Sequence, residues 1–166
     1  MGGQTKNKFS MKELLLFAFA VIFSSAGCNS SKVDVPNDMY VKYFIKGSLI
    51  KYETTIELTK DNMKLAYLSS STGKISKFEY TTDEAQVSKV YNFVKTNKLL
   101  LRESPKPDLL PDAPEENFVV TYGGKSNTID FGSVKEKPAE LQQLKNMLFD
   151  IAEKYKPGWK KDAGLE

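Results

Sequence analysis

From Met39 onward the chain alternates. Met39, Val41, Tyr43 and Ile45 fall on one side, Tyr40, Lys42, Phe44 and Lys46 on the other. After Gly47-Ser48 the alternation resumes, with Ile50, Tyr52, Thr54, Ile56 and Leu58 set against Lys51, Glu53, Thr55, Glu57 and Thr59. A period of two, rich in β-branched and aromatic residues, is the pattern of a strand with one buried face. Lys60-Asp61-Asn62 leads into MKLAYL (63–68), and SSSTGK leads into ISKFEY (75–80). Strands joined by such short turns predict an antiparallel meander. The period then lengthens. Thr81 followed by Glu84 has the form of a capping box, and Val87, Val90, Tyr91 and Val94 recur at helical spacing, predicting a helix over 82–96. Residues 102–117, RESPKPDLLPDAPEEN, hold four prolines and predict an irregular segment. Phe118–Tyr122 and Thr128–Phe131 predict a hairpin around Gly-Gly-Lys-Ser. A second helix opens at Pro138, a residue suited to a first turn. It carries Leu141, Leu144, Leu148, Ile151 and Tyr155 along one side and ends at Pro157-Gly158.

The order is therefore ββββ-α-ββ-α. Amphipathic helices and one-faced strands satisfy each other when both helices cover one face of a six-stranded antiparallel sheet, an α+β architecture. The pattern bounds a single domain at 39–157, preceded by a polar tether, 28–38, and followed by a short tail, 158–166.

The first residues follow another rule. LLLFAFAVIF (14–23) is an uncharged apolar run, well short of the ~20 residues a bilayer-spanning helix needs. Lys6, Lys8 and Lys12 precede it, and the small residues Ser24-Ser25-Ala26-Gly27 follow, ahead of Cys28. A basic flank, a short apolar core and small residues at the end make an export signal. Met11 is a second possible start, since MKELLLFAFAVIFSSAGC is a compact signal by itself. Cys28 is the only cysteine of the 166 residues. Ser25-Ala26-Gly27-Cys28 after the apolar run resembles the lipobox of bacterial lipoproteins, with Ser25 standing where that family usually carries an aliphatic residue. The resemblance implies that the Cys28 sulfur is alkylated with diacylglycerol and that residues 1–27 are cut away at the Gly27–Cys28 bond. It further implies that the new amine is acylated with a fatty acid such as palmitate, tethering the domain to the membrane of the cell envelope, here the outer membrane.

The second half of the chain, about Ile75 to Tyr155, resembles small domains of bacterial envelope lipoproteins in which a YGGK hairpin precedes a P-x-x-L-x-x-L helix. That resemblance implies no activity. The net charge of +3 drops to about +1 once Lys6, Lys8, Lys12 and Glu13 leave with the signal. Mixed charges along every strand, without a dense basic patch, argue against nucleic-acid binding.

Candidate chemistry is sparse. The chain has no histidine, which removes the commonest general base and transition-metal ligand. Gly124-Lys125-Ser126 suggests a phosphate loop, but position 119 is valine where that motif has its first glycine, and a strand follows rather than a helix. Glu115-Glu116 and Asp108/Asp112 fall in the proline-rich segment. There they read as solvated charge, or as a weak calcium site lacking the glycine turn such loops use. Trp159, between Gly158 and Lys160-Lys161, reads as a cap over the second helix or as a membrane-surface contact. No cofactor and no metal are expected. Tyr40 and Phe44, aromatic among lysines on the outward side of the first strand, are the expected partner surface for another envelope protein. The sequence thus supports a lipid-anchored, non-catalytic binding or structural module. The alternative is a small envelope hydrolase or carbohydrate-active enzyme relying on carboxylates.

Overall fold

A computed structural model describes residues 33–47, 51–108 and 110–166. Cys28, Gly27 and the rest of the export signal lie outside the described residues. The strands are β1 (Tyr40–Lys46), β2 (Glu53–Thr59), β3 (Asn62–Leu68), β4 (Ile75–Thr81), β5 (Glu115–Tyr122) and β6 (Lys125–Asp130). They form one six-stranded antiparallel sheet in the order β4-β3-β2-β1-β5-β6. The helices are α1 (Glu84–Thr96), α2 (Ala139–Tyr155) and a short α3 (Trp159–Asp162), with a 3₁₀ turn at Leu99–Leu101. The α+β class and the ββββ-α-ββ-α order hold.

The alternation read from the sequence is the alternation of burial. Val41, Tyr43 and Ile45 of β1, Ile56 and Leu58 of β2, Met63, Leu65 and Tyr67 of β3, and Phe118 and Val120 of β5 are all buried. They meet Val87, Val90 and Val94 of α1 and Leu141, Leu144, Leu148 and Ile151 of α2 in one cluster. Removing that much apolar surface from water is what holds the layers together, at about 25 cal/mol per Å². Aromatic contacts tie the layers: Tyr43 meets Phe118 at 5.2 Å and Phe149 of α2 at 5.4 Å between centroids.

Several boundaries move, each for a local reason. The α1 N-cap is Asp83, whose carboxylate accepts the Ala85 N–H at 2.8 Å. Thr81 cannot cap because it is the last residue of β4, paired with Asn62. The β5–β6 turn is Gly123-Gly124 alone, at φ +60° and +70°. Both central residues of such a two-residue turn need positive φ, which glycine supplies without strain. Lys125 and Ser126 already belong to β6. Glu115, Glu116 and Asn117 belong to β5 rather than to the irregular segment.

The compact unit spans Val33–Glu166, wider than 39–157. Val35 is buried in the core at one end. At the other, Trp159 and Ala163 of the expected tail are buried as well, and the Trp159 ring lies 5.0 Å from Phe149 and 6.1 Å from Tyr67. Trp159 is 0% exposed, so its indole is a core element that closes the end of the sheet. It is not available to a membrane surface. Gly132 is fixed by a close approach: a Cβ there would stand 2.0 Å from the Pro114 carbonyl oxygen and 2.6 Å from the Glu116 nitrogen.

Candidate functional site

Two regions concentrate chemistry: the face of the sheet opposite the helices, and a buried ionic cluster at the β1–β5 end of the covered face. On the open face, antiparallel register sets Lys42 of β1 beside Glu57 of β2, Glu57 beside Lys64 of β3, and Lys64 beside Glu79 of β4. The signs alternate across four strands, so each charge has an opposite neighbour, the arrangement that favours cross-strand pairs. Lys64 and Glu79 stand 3.8 Å apart with both side chains 57% exposed, so this pair contributes little stability and serves mainly to keep the face polar.

The next row is Phe44, Thr55, Ala66 and Lys77. Small residues at Thr55 and Ala66 leave a shallow depression of about 440 Å³, walled by Glu57, Lys64, Lys77 and Glu79. The expected partner residues Tyr40 and Phe44 both lie on this face, on β1, but neither lines the depression. Lys42 sits between them and places its ammonium 5.9 Å from the Phe44 ring. Burial, and then the Glu57 carboxylate beside it, pushes the Tyr40 phenol up to about 12. Tyr40 therefore stays protonated and can donate a hydrogen bond across the physiological range.

The second region was read from the sequence as solvated loop charge, and it is the opposite. Glu116 is 1% exposed. The parity of β5 puts Glu116 on the same face as Phe118 and Val120. Its Oε1 accepts the Tyr43 hydroxyl at 2.7 Å and Lys145 Nζ at 3.3 Å, and its Oε2 accepts Lys137 Nζ. The lysines keep about a fifth of their side-chain surface, 23% for Lys137 and 22% for Lys145. Lys137 also lies over Phe131 at 5.5 Å, and Lys145 over Phe149 at 5.7 Å. A buried charge persists only when paired and hydrogen-bonded, and here every partner comes from the chain itself. Burial, reinforced by the Glu116 charge, drives the Tyr43 phenol far above its ordinary range, so it acts only as a donor.

The glycine turn is closed to a phosphate by its own fold. Asp38 Oδ1 accepts the Gly123 N–H at 3.1 Å and Oδ2 accepts the Gly124 N–H at 2.6 Å. The two amides an anion would use are bound by an intramolecular carboxylate, and those bonds hold the Asp38 carboxyl below its ordinary value. Asp108 is also committed to structure: its Oδ2 accepts the Lys135 N–H at 2.6 Å. Among the described residues no group of three or more acidic, cysteine or histidine side chains converges as metal ligands, and no helix is long and apolar enough to cross a membrane. No protein-family model matches the chain, and no curated protein matches it.

Proposed function

We propose that this protein is a lipid-anchored lipoprotein of the bacterial cell envelope whose folded part is a non-catalytic binding module. One observation carries the reading: the uncharged run 14–23 ends in Ser25-Ala26-Gly27-Cys28, with a basic flank before it and a polar stretch after it. Two or more acyl chains on Cys28 would give stable anchoring where one gives only marginal binding, at ~0.8 kcal/mol per buried CH₂. The open sheet face, with Tyr40, Phe44 and the Thr55–Ala66 depression, supports a flat protein-binding role, since ligand pockets for small molecules are deeper and more enclosed. The carboxylates that could serve a hydrolase are Glu57 and Glu79, which face the open depression with Lys64 between them, and the buried Glu116. The Glu116 oxygens are filled by Tyr43, Lys137 and Lys145, which supports a structural role for that group instead.

The test is metabolic labelling in a bacterial host. Wild-type chain should take up labelled fatty acid and partition with the membrane. Cys28→Ala should lose the label and keep the uncut signal or be cut elsewhere. Labelling that persists in Cys28→Ala would sink the assignment.

A further inference from the structure

The two edges of the sheet are treated differently. At β6 the chain covers itself: the Asp130 N–H, which points away from β5, donates to Ser104 Oγ at 2.9 Å, and Asn127 Nδ2 binds the carbonyls of Leu99 and Arg102 at 2.9 and 2.7 Å. At the other edge, β4 is the terminal strand. The hydrogen-bonding phase of its ladder follows from the flanking bonds, Ser69 N–H to Lys74 carbonyl and Thr82 N–H to Asp61 carbonyl, both 2.9 Å. Antiparallel pairs alternate between bonded and non-bonded positions. Ser76, Phe78 and Tyr80 therefore bond inward to β3, while Ile75, Lys77, Glu79 and Thr81 aim their N–H and C=O groups outward. No loop or turn among the described residues bonds to those four backbones.

The side chains along this edge are self-complementary. We propose that β4 is a self-association edge: a second copy of this chain pairs with it antiparallel, about a two-fold axis at Phe78, extending the sheet. In that register Lys77 faces Glu79 of the second copy and Glu79 faces its Lys77, both on the open face. Ile75, left 56% exposed, lies beside Thr81 of the second copy. The outward-pointing residues become the hydrogen-bonded pairs, giving about eight new backbone bonds, and Phe78 meets its own copy at a non-bonded position, where side chains approach most closely. The alternating row Lys42–Glu57–Lys64–Glu79 then continues with the lysine of the second copy. Shifting the axis to Lys77 or Glu79 would set like charges directly opposite, which is unfavourable. The charges that usually guard an edge strand against indiscriminate pairing thus select one register of one partner.

The experiment measures the mass of the detergent-solubilised full chain by analytical ultracentrifugation over a concentration series. Wild type should reach the mass of two chains. Lys77→Glu alone, and Glu79→Lys alone, should each fall to one chain across the same series. Mixing the two variants should restore the two-chain mass as a heterodimer, and the double variant Lys77→Glu/Glu79→Lys should restore it by itself. Circular dichroism confirms that each variant keeps the fold, which is expected because both side chains are exposed. A wild type that stays at one chain throughout overturns the proposal. So does a two-chain species that ignores the single charge reversals, or single variants that fail to pair with each other.

Discussion

Glu116 is the residue where polarity along the chain and burial in the fold conflict most. A carboxylate with no side-chain exposure is bound by a buried tyrosine and by two lysines that still reach water. That asymmetry sets what its removal should cost. In Glu116→Ala the lysines can swing outward and hydrate, so the severe penalty for stranding a buried charge is avoided. The Tyr43 hydroxyl cannot follow them, because Tyr43 is 0% exposed, and losing its acceptor leaves a desolvated donor worth about 1–3 kcal/mol. We expect Glu116→Ala to destabilise by about 2–3 kcal/mol, Glu116→Gln by less, and Tyr43→Phe to cost less in the Glu116→Ala background than in wild type. Urea unfolding of the four proteins in a double-mutant cycle measures this directly. Additive effects would mean that the hydrogen bond contributes nothing.

At the scale of elements, what was legible followed from period and what was not followed from distant partners. β1 could be read because each of its odd-numbered residues faces one core, so Val41, Tyr43 and Ile45 recur at every second position and both lysines fall at the even-numbered ones. The proline-rich segment could be read because proline forbids regular structure locally. The start of β5 could not: Glu115-Glu116-Asn117 has the composition of a loop, and the only sign of a strand is that Glu116 shares parity with Phe118 and Val120. The Glu116 cluster was equally hidden, since Lys137 and Lys145 reach it from far along the chain. Asp83 took the cap from Thr81 because β3 had claimed Thr81 by pairing. Gly132 gave no sign at all, because the Pro114 carbonyl that excludes its Cβ is distant in sequence.

The β5–β6 hairpin joins both kinds of information. Glycines announce a turn, but the carboxylate that closes it comes from Asp38, before β1. Gly124→Val should destabilise by about 1–2 kcal/mol, the cost of a left-handed backbone for a residue with a Cβ. Lys125→Ala, on an exposed β6 position, should stay within about 0.5 kcal/mol. The backbone bonds depress the Asp38 pKa in the folded state. Its contribution is therefore present above the ordinary value of 3.8 and is lost as pH falls through the lower folded value. Asp38→Asn should lower the melting temperature at neutral pH and reduce its fall between about pH 5 and pH 2. An unaltered acid limb in that variant would show that the turn does not draw on the charge.

For the whole molecule the question is where the folding unit ends, and Trp159 decides it. Periodicity closes the domain at the Pro157-Gly158 break, yet the residues after it turn back onto the sheet. Gly158 takes φ +75° to make the reversal. Asp162 then accepts hydrogen bonds from Tyr67 Oη at 3.0 Å, Ser69 Oγ at 2.8 Å and Ser71 Oγ at 3.0 Å, locking α3 to the β3–β4 end. Burial, and next the bond to Asp162, pushes the Tyr67 phenol up to about 12, so Tyr67 remains a donor in this lock. Val35 is packed into the same buried cluster as Trp159 and Ala163, so residues 33–166 carry the whole of that cluster. That fragment should melt in a single cooperative transition whose midpoint is unmoved by chelator or reductant. A fragment of residues 39–157 lacks Val35, Trp159 and Ala163 and opens the cavity the indole fills. Truncating a buried Trp or Phe typically costs about 3–5 kcal/mol, a large part of the 5–15 kcal/mol that holds an ordinary domain. The shorter fragment should therefore melt far lower or lose cooperativity, and restoring residues 158–166 should recover most of the difference. If the two fragments unfold at the same temperature, the C-terminal turn is an ornament on a core that was already closed. A midpoint that falls on adding chelator would instead mean that a bound ion contributes to this fold.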